Sequence, residues 1–161
     1  MRGVRAVPAR GGERVRLVPL VAADMPEVGA RLWEYWADLG VLPPSAWHER
    51  YVQRLVEEQG RSRHTFWGLG AAERVGLTVL RLDPDWVQPE RVVGYVAEFT
   101  VFRPFRRQGW GRGLFAAARE WFASQGCSDV ELDVLPTNIR AQAFWTAEGF
   151  RLAYHRLRRH G

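Results

Sequence analysis

A loop rich in arginine and glycine is the segment of this chain whose residue types could do chemistry. It covers residues 101–113, with the sequence VFRPFRRQGWGRG, and follows a strongly apolar run. Glycines let a backbone approach a ligand closely, and unpaired N–H groups at the start of a helix attract an anion. Arginines add charge and forked donors for phosphate. The loop therefore predicts a phosphate-binding site, and the alternative is a structural turn that carries surface arginines.

Two common phosphate-binding patterns do not fit this loop. The P-loop requires Gly-Lys-Ser/Thr, and all 23 basic residues of this chain are arginine. The dinucleotide-binding pattern requires a third glycine at the position of Leu114. These patterns alone leave the class of phosphate ligand open.

Composition limits the classes of protein to consider. The 161 residues suit a single domain, with residues 1–12 as a loose head, and no apolar run resembles a signal peptide or a membrane span. We therefore expect a cytoplasmic protein without a membrane partner, and the absence of lysine suggests a GC-rich bacterial genome.

The single Cys127 excludes an internal disulfide, and no metal site is expected. The net charge of +5 fits an anionic ligand, but the arginines form no stripe with interleaved aromatics, which disfavours nucleic acid.

The elements that would position the loop follow from hydrophobic periodicity and capping residues. Strands are predicted at Val15–Leu20, His64–Gly70, Val75–Leu82, Val92–Phe102, Asp129–Leu135 and Phe150–Leu157, and helices at Asp24–Leu39, Ser45–Gly60, Gly113–Gln125 and Asn138–Glu148. This order is not a Rossmann alternation. It predicts an α/β (α+β) fold with a mixed central sheet flanked by helices.

At two places the sequence resembles the GNAT superfamily of N-acetyltransferases. Residues 106–111, RRQGWG, match the R/Q-x-x-G-x-G/A loop of that superfamily, and Val101 stands where it has a strand-four valine. Downstream, the N-x-x-A-x-x-F-Y-x-x-x-G-F segment is matched without a gap by Asn138, Ala141, Phe144, Gly149 and Phe150. The resemblance is clear from about residue 92 to residue 158, and the N-terminal half fits only in its order of elements.

The resemblance implies acetyl-coenzyme A as co-substrate and a role for each matching residue. The backbone amides of the loop would hold the pyrophosphate of coenzyme A. The end of strand four would separate from its neighbour and pair with the pantetheine arm, which the asparagine also contacts. The residues so implied as cofactor-binding are Phe99, Val101, Arg106, Arg107, Gln108, Gly109, Trp110, Gly111, Arg112, Asn138 and Trp145.

Trp145 departs from the family pattern, because relatives often have a tyrosine there that protonates the departing thiolate. An indole N–H is not a useful acid at neutral pH, so Trp145 is expected to pack near the thioester instead. Water, Tyr154 or the ammonium of the intermediate would then supply the proton. The family's proline two residues after the valine is also displaced, since Arg103 stands there and the proline is Pro104.

Glu98 is the candidate general base. It lies in a strongly apolar strand, where a carboxylate is out of place unless it is paired or takes part in chemistry. Strand alternation predicts that it shares a face with Val96 and Thr100. The alternative is a buried ion-pair partner for one of the arginines.

The acceptor amine is not specified by the sequence. Five aromatic residues of the first two helices fall in the region that forms one wall of the acceptor site in GNAT folds, with core packing as the alternative: Trp33, Tyr35, Trp36, Trp47 and Tyr51. A small amine, an amino acid, an aminoglycoside or a protein amine could be the acceptor, and an acyl group other than acetyl is open. A non-catalytic acyl-CoA-binding module and a basic nucleic-acid-binding protein are the rival functions, and a homodimer is also open.

Overall fold

The computed structural model describes residues 14–154, 156–159 and 161, so the loose head expected at residues 1–12 lies outside the described residues. Five strands and four helices follow one another in the order β1, α1, α2, β2, β3, β4, α3, β5, α4. Their bounds are β1 Arg16–Pro19, α1 Met25–Asp38, α2 Ser45–Glu57, β2 His64–Gly70, β3 Glu73–Pro84, β4 Val92–Val101, α3 Trp110–Ser124, β5 Val130–Leu132 and α4 Ile139–Ala147.

The strands form one mixed sheet in the order β1-β2-β3-β4-β5. Neighbours from β1 to β4 are antiparallel, and β4 pairs with β5 in parallel. A parallel pair requires a crossover connection, and α3 supplies it between β4 and β5. The predicted mixed sheet flanked by helices is therefore confirmed.

The helices cover the two faces of the sheet separately. Helices α1 and α2 pack on one face, in a cluster that includes Leu32, Leu55, Leu77 and Val79. Helices α3 and α4 cover the other face, in a cluster that includes Leu80, Val96, Phe115, Phe122 and Trp145. Strand β4 contributes side chains to both clusters and is the strand at which the antiparallel part of the sheet meets the parallel strand β5.

The sixth strand, predicted at Phe150–Leu157, is wrong. The described residues after Gly149 adopt no strand. Phe150 packs into the α3–α4 cluster, but Leu152 is 74% exposed and Leu157 is 90% exposed. The apolar alternation of this segment therefore meets no sheet surface to bury it, and β5 offers only three residues for pairing.

Helix α3 begins three residues earlier than predicted, at Trp110 rather than Gly113. Gly109 precedes it with φ 85°, in the left-handed region that favours glycine, and this residue ends the loop. The glycines at 111 and 113 thus lie inside the helix rather than before it.

Among the described residues, no helix has the length and apolar character needed to cross a membrane. The same part of the chain contains no group of three or more His, Cys, Asp or Glu side chains that could hold a metal ion. Cys127 is a free, partly buried thiol.

Candidate active site

The loop between β4 and α3 ends in backbone N–H groups that no side chain caps. Arg107 has φ 61° and Gly109 has φ 85°, so the chain turns twice through the left-handed region before the helix starts. No side chain caps α3, and a Cβ atom added to Gly109 would have no heavy atom within 4 Å. The first amides of a fifteen-residue helix are therefore unpaired and accessible, which is the arrangement that binds an anion.

Most arginine side chains of this loop form ion pairs or hydrogen bonds with other groups of the protein. Arg103 and Arg106 both form ion pairs with Asp38, the last residue of α1, at 2.5 and 2.9 Å. Arg106 Nε also donates to the carbonyl oxygen of Val101 at 2.8 Å. The hydrogen bond from Arg103 lowers the pKa of Asp38, so this carboxylate is firmly ionised. These contacts fix the loop against α1, and within the described residues Arg107 makes no ion pair.

Three further side chains of the predicted cofactor loop are turned toward the protein. Gln108 Nε2 donates to the Pro104 carbonyl at 2.9 Å, which closes the loop on itself. Trp110 is only 3% exposed and packs directly on Gly70, where no side chain would fit. Arg112 pairs with Glu148 of the segment after α4 at 3.1 Å. What these residues can offer a ligand is therefore mainly their backbone amides.

Strands β4 and β5 separate halfway along β4. Their parallel pairing covers only Gly94–Val96 against Val130–Leu132, although β4 continues to Val101. Beyond Val96, β4 pairs with β3 alone among the described residues, so its other edge has no strand partner as the chain approaches the loop that ends at Gly109. The separation expected for Phe99 to Val101 is present, and it leaves one edge of the strand available to an extended ligand.

Aromatic side chains pack next to this free edge of β4. Phe99 contacts Phe144 and Trp145, with ring centroids 5.8 and 4.9 Å apart, respectively. Trp145 also makes edge contacts with Phe115 and Phe150 and is only 7% exposed. The tryptophan at the position of the family's tyrosine is thus part of the core between the sheet and helices α3 and α4.

Asn138 is the N-cap of α4. Its side-chain oxygen accepts a hydrogen bond from the Ala141 amide at 3.1 Å, which satisfies one unpaired donor of the first turn. The cap fixes the orientation of the Asn138 side chain at the start of α4. Its contact with the pantetheine arm stays a prediction.

A β-bulge in β4 determines on which face of the sheet the Glu98 side chain lies. The register places Val79 opposite Glu98 but Leu80 opposite Val96, so Ala97 is an extra residue. The prediction that Glu98 shares a face with Val96 is therefore wrong, because simple alternation does not hold across a bulge. Val96 lies in the α3–α4 cluster, whereas Ala97 and Glu98 both face α1 and α2.

The Glu98 carboxyl group is half-buried and has a raised pKa. Burial raises the pKa of Glu98 to about 7, while a hydrogen bond from Tyr51, the Trp36 indole and the charge of Arg63 act in the opposite direction. The Tyr51 hydroxyl donates to Glu98 Oε1 at 3.0 Å. No arginine forms an ion pair with Glu98 among the described residues, so the structure does not support the alternative of a buried ion pair.

The aromatic residues of α1 and α2 form a wall beside Glu98. Trp36 and Tyr51 are buried, while Trp47 is 44% exposed and stacks on Tyr51 with ring centroids 5.0 Å apart. Trp33 contacts His48, whose Nε2 is hydrogen-bonded to the backbone of α1. The cluster thus combines core packing with an open aromatic surface next to the candidate base.

Two contacts of the site were missed by sequence reasoning. The Tyr51–Glu98 hydrogen bond joins residues 47 positions apart, and the Arg103–Asp38 pair joins residues 65 positions apart. The second had a signal in the sequence, because Asp38 ends a helix, where a negative charge is unfavourable without a basic partner. Nothing local in the sequence distinguishes Tyr51 from the other aromatic residues of α2.

Comparison with known proteins identifies the family to which this fold and loop belong. The model of the acetyltransferase (GNAT) family matches residues 30–150, and the chain belongs to this family. A curated relative, the aminoglycoside N(6')-acetyltransferase type 1 of Serratia marcescens, is 42% identical over 45 residues. That match covers 28% of this chain and only 31% of the relative.

Solved structures agree with the family in fold. A possible acetyltransferase from Clostridium difficile 630 has a TM-score of 0.77 at 12% identity, over 92% of this chain and 98% of that chain. The aminoglycoside acetyltransferase AAC(6')-Iy, in complex with the bisubstrate analogue CoA-S-monomethyl-acetylneamine, has a TM-score of 0.68 at 18% identity. That alignment covers 90% of this chain and 99% of the other. At these identities the likeness concerns the fold alone.

Proposed function

We propose that this protein is an N-acetyltransferase that moves the acetyl group of acetyl-CoA directly to a primary amine, with Glu98 as general base. One observation carries the proposal. Strand β4 carries the carboxyl group of Glu98, whose pKa is about 7, has an edge without a strand partner beyond Val96, and leads into the loop that ends at Gly109 and opens α3. A phosphate group would meet the loop amides, an extended arm would meet the edge of β4, and a reacting amine would meet Glu98.

The loop and the strand edge would hold acetyl-CoA. The amides that follow Gly109 would bind the pyrophosphate, with the positive end of the α3 dipole behind them. The edge of β4 beyond Val96 would pair with the amides of the pantetheine arm, as an added strand pairs with a sheet edge. Phe99 and Trp145 would provide the apolar floor beneath it.

Glu98 would remove a proton from the acceptor. An amine attacks the thioester carbonyl only through its free lone pair, so the new C–N bond forms as a proton leaves the nitrogen. The C–S bond then breaks, and the thiolate takes a proton from water, from Tyr154 or from the ammonium. A carboxylate with a pKa of about 7 is a stronger base than an ordinary glutamate and is still half ionised at neutral pH.

The comparisons favour a small-molecule amine as acceptor. The names of the Serratia marcescens relative and of the bisubstrate complex both specify an aminoglycoside acetyltransferase. An aminoglycoside or another small amine is therefore our first choice over an amino acid or a protein amine.

A non-catalytic acyl-CoA-binding module is the second candidate function. It is favoured by Trp145, which is buried where relatives often have a tyrosine that serves as acid. Turnover with any amine would exclude it. Nucleic-acid binding is disfavoured, because Arg103 and Arg106 are paired with Asp38 and form no free basic surface.

A thermal-shift titration with acetyl-CoA, with ATP and NAD as controls, tests the proposal first. A ligand at a hundred times its Kd adds about 2.7 kcal/mol to the free energy of unfolding, which raises the Tm by several degrees for a domain of this size. A rise with acetyl-CoA alone, followed by release of free thiol with an amine panel, would support an acetyltransferase. An equal rise with all three anions would reduce the loop to a general polyanion site.

A further inference from the structure

A second cavity lies at the other end of β4 from the coenzyme A loop. Its volume is about 550 Å³, and it is bordered by the end of β3, the β3–β4 loop, the start of β4, β5 and the segment after α4. Six side chains of its lining concern the argument: Arg81, Asp83, Trp86, Tyr95, Glu131 and Tyr154. Apart from Tyr154, one of the three proton sources considered for the thiolate, no side chain of this lining takes part in the reaction proposed above.

The cavity opens on the same face of the sheet as Glu98. Gly94 faces Phe122 of α3, so Tyr95 points to the opposite face, as Glu98 does after the bulge. Three residues of strand separate Tyr95 from Glu98, which sets their backbone distance at about 10 Å or somewhat less, because the bulge at Ala97 shortens the strand. Arg81 lies over the Tyr95 ring, with its guanidinium carbon 4.3 Å from the ring centroid. Arg81 and Tyr95 stand opposite each other in the β3–β4 register, on the face of the sheet to which Glu98 also points.

The charges that line the cavity leave an excess of carboxylate. Arg81 is neutralised by Asp83 at 2.6 Å, and Arg156 is neutralised by Asp133 at 3.1 Å. Glu131, on β5, has no ion-pair partner among the described residues. A cationic group entering the cavity would therefore meet a carboxylate without first displacing an arginine.

An aromatic side chain stands at the rim. Trp86 is 77% exposed on the β3–β4 loop, and it lines the cavity together with Tyr154. Exposure of so large an apolar ring is unfavourable in the free protein, and a ring or a cation placed on its face would offset that cost. Carboxylate and aromatic faces together form the combination that recognises an alkylammonium group.

We propose that this cavity binds the distal end of the acceptor, and that the acceptor therefore carries a second ammonium group about 10 Å from the amine that reacts. The inference rests on the proposed function, because it assigns the reacting amine to Glu98. Glu131 meets the second ammonium, and Trp86 covers it. The substrate class is a small diamine or polyamine, whether linear or built on sugar rings.

Hexamethylenediamine and hexylamine form a matched pair of probes, since they differ in the distal amine alone. Two equivalent amines give the diamine a twofold statistical advantage, and we expect its kcat/KM to exceed that of hexylamine by at least about tenfold. Glu131→Gln should reduce this ratio to near two, and Trp86→Ala should reduce it in part. Glu90→Gln, an exposed carboxylate of the same loop outside the cavity lining, should leave the ratio unchanged.

Calorimetric binding of hexamethylenediamine separates the two proposals. If no amine is acetylated but the diamine binds and Glu131→Gln weakens that binding at least fivefold, the cavity site stands and the acetyltransferase proposal fails. If both amines are acetylated with kcat/KM values within twofold, the acetyltransferase stands and the cavity proposal is overturned. Diamine binding that Glu131→Gln does not change would overturn it as well.

Discussion

The hydrogen bond from Tyr51 to Glu98 should control the pH dependence of acetyl transfer. The Tyr51 hydroxyl donates to Glu98 Oε1 at 3.0 Å and stabilises the ionised carboxylate against its burial. Tyr51→Phe removes this one oxygen and keeps the ring that stacks on Trp47. The substitution therefore alters the base without removing the aromatic wall.

The size of the effect follows from the strength of the lost bond. A hydrogen bond to a charged group contributes about 1.5 kcal/mol at the low end, which suits a half-buried carboxylate that water can reach. This corresponds to about one pKa unit. The pKa of Glu98 should rise in the variant, from about 7 to roughly 8. The ionised fraction at pH 7 then falls from about one half to about one tenth, which is roughly a fivefold loss.

The assay is the pH profile of kcat/KM from thiol release with a fixed amine. Because the base acts when ionised, its acid limb should move about one pH unit upward in Tyr51→Phe, and the two profiles should meet on the alkaline side. Tyr35→Phe is the matched control, since the Tyr35 hydroxyl makes no hydrogen bond to Glu98 among the described residues and is not among the groups that shift its pKa. An equal loss at every pH, or an unmoved acid limb, would refute the role assigned to Tyr51.

Three further predictions concern the loop and the base. Gly109→Glu should abolish acetyl-CoA binding in calorimetry, because it puts a side chain at φ 85° and a negative charge where phosphate should lie; unchanged affinity would mean that the loop is misassigned. Asp38→Asn should weaken acetyl-CoA binding several-fold without a direct contact, since Arg103 and Arg106 lose the anchor that orders the loop, and equal affinity would contradict this. Burial raises the pKa of Glu98 in the folded state, so ionisation of this side chain lowers the free energy of unfolding. The loss is absent below about pH 4.5, where the carboxyl group is protonated in both states, and it grows as the pH rises toward 7. Glu98→Gln should therefore match the wild type in acid and exceed its free energy of unfolding by up to about 3 kcal/mol at pH 8, and a constant difference in denaturant titrations across pH would disprove the shift.

Local sequence patterns predicted those helices and strands that bury one continuous stripe of apolar side chains. The bounds of β2 agree with the prediction at both ends, because an apolar run is delimited by a charged segment and by glycine. The strand predicted after Gly149 is wrong because the segment has no neighbouring strand to pair with. Its alternation of Leu152 and Tyr154 has the period of a strand, but pairing depends on a partner that local sequence does not specify.

The candidate site was predictable where backbone conformation decides it. Gly109 belongs to the loop whose glycines were predicted to bring the backbone close to a phosphate, and its positive φ is a conformation that glycine adopts readily. The direction of Glu98 was not predictable, because the bulge at Ala97 leaves no local signature in an apolar strand. Contacts between distant segments, such as Tyr51 with Glu98, depend on the complete fold.

The arginines that draw attention in the sequence act mainly on the protein itself. Arg103 and Arg106 are directed to Asp38, and Arg112 is directed to Glu148, so the charge of the loop maintains its shape. Phosphate would then be attracted mainly by the backbone amides of the loop, whose positions depend on that shape. Substitution of Asp38, which would touch no ligand, is therefore a sharper probe of the loop than removal of an arginine, because the latter would change charge and shape together.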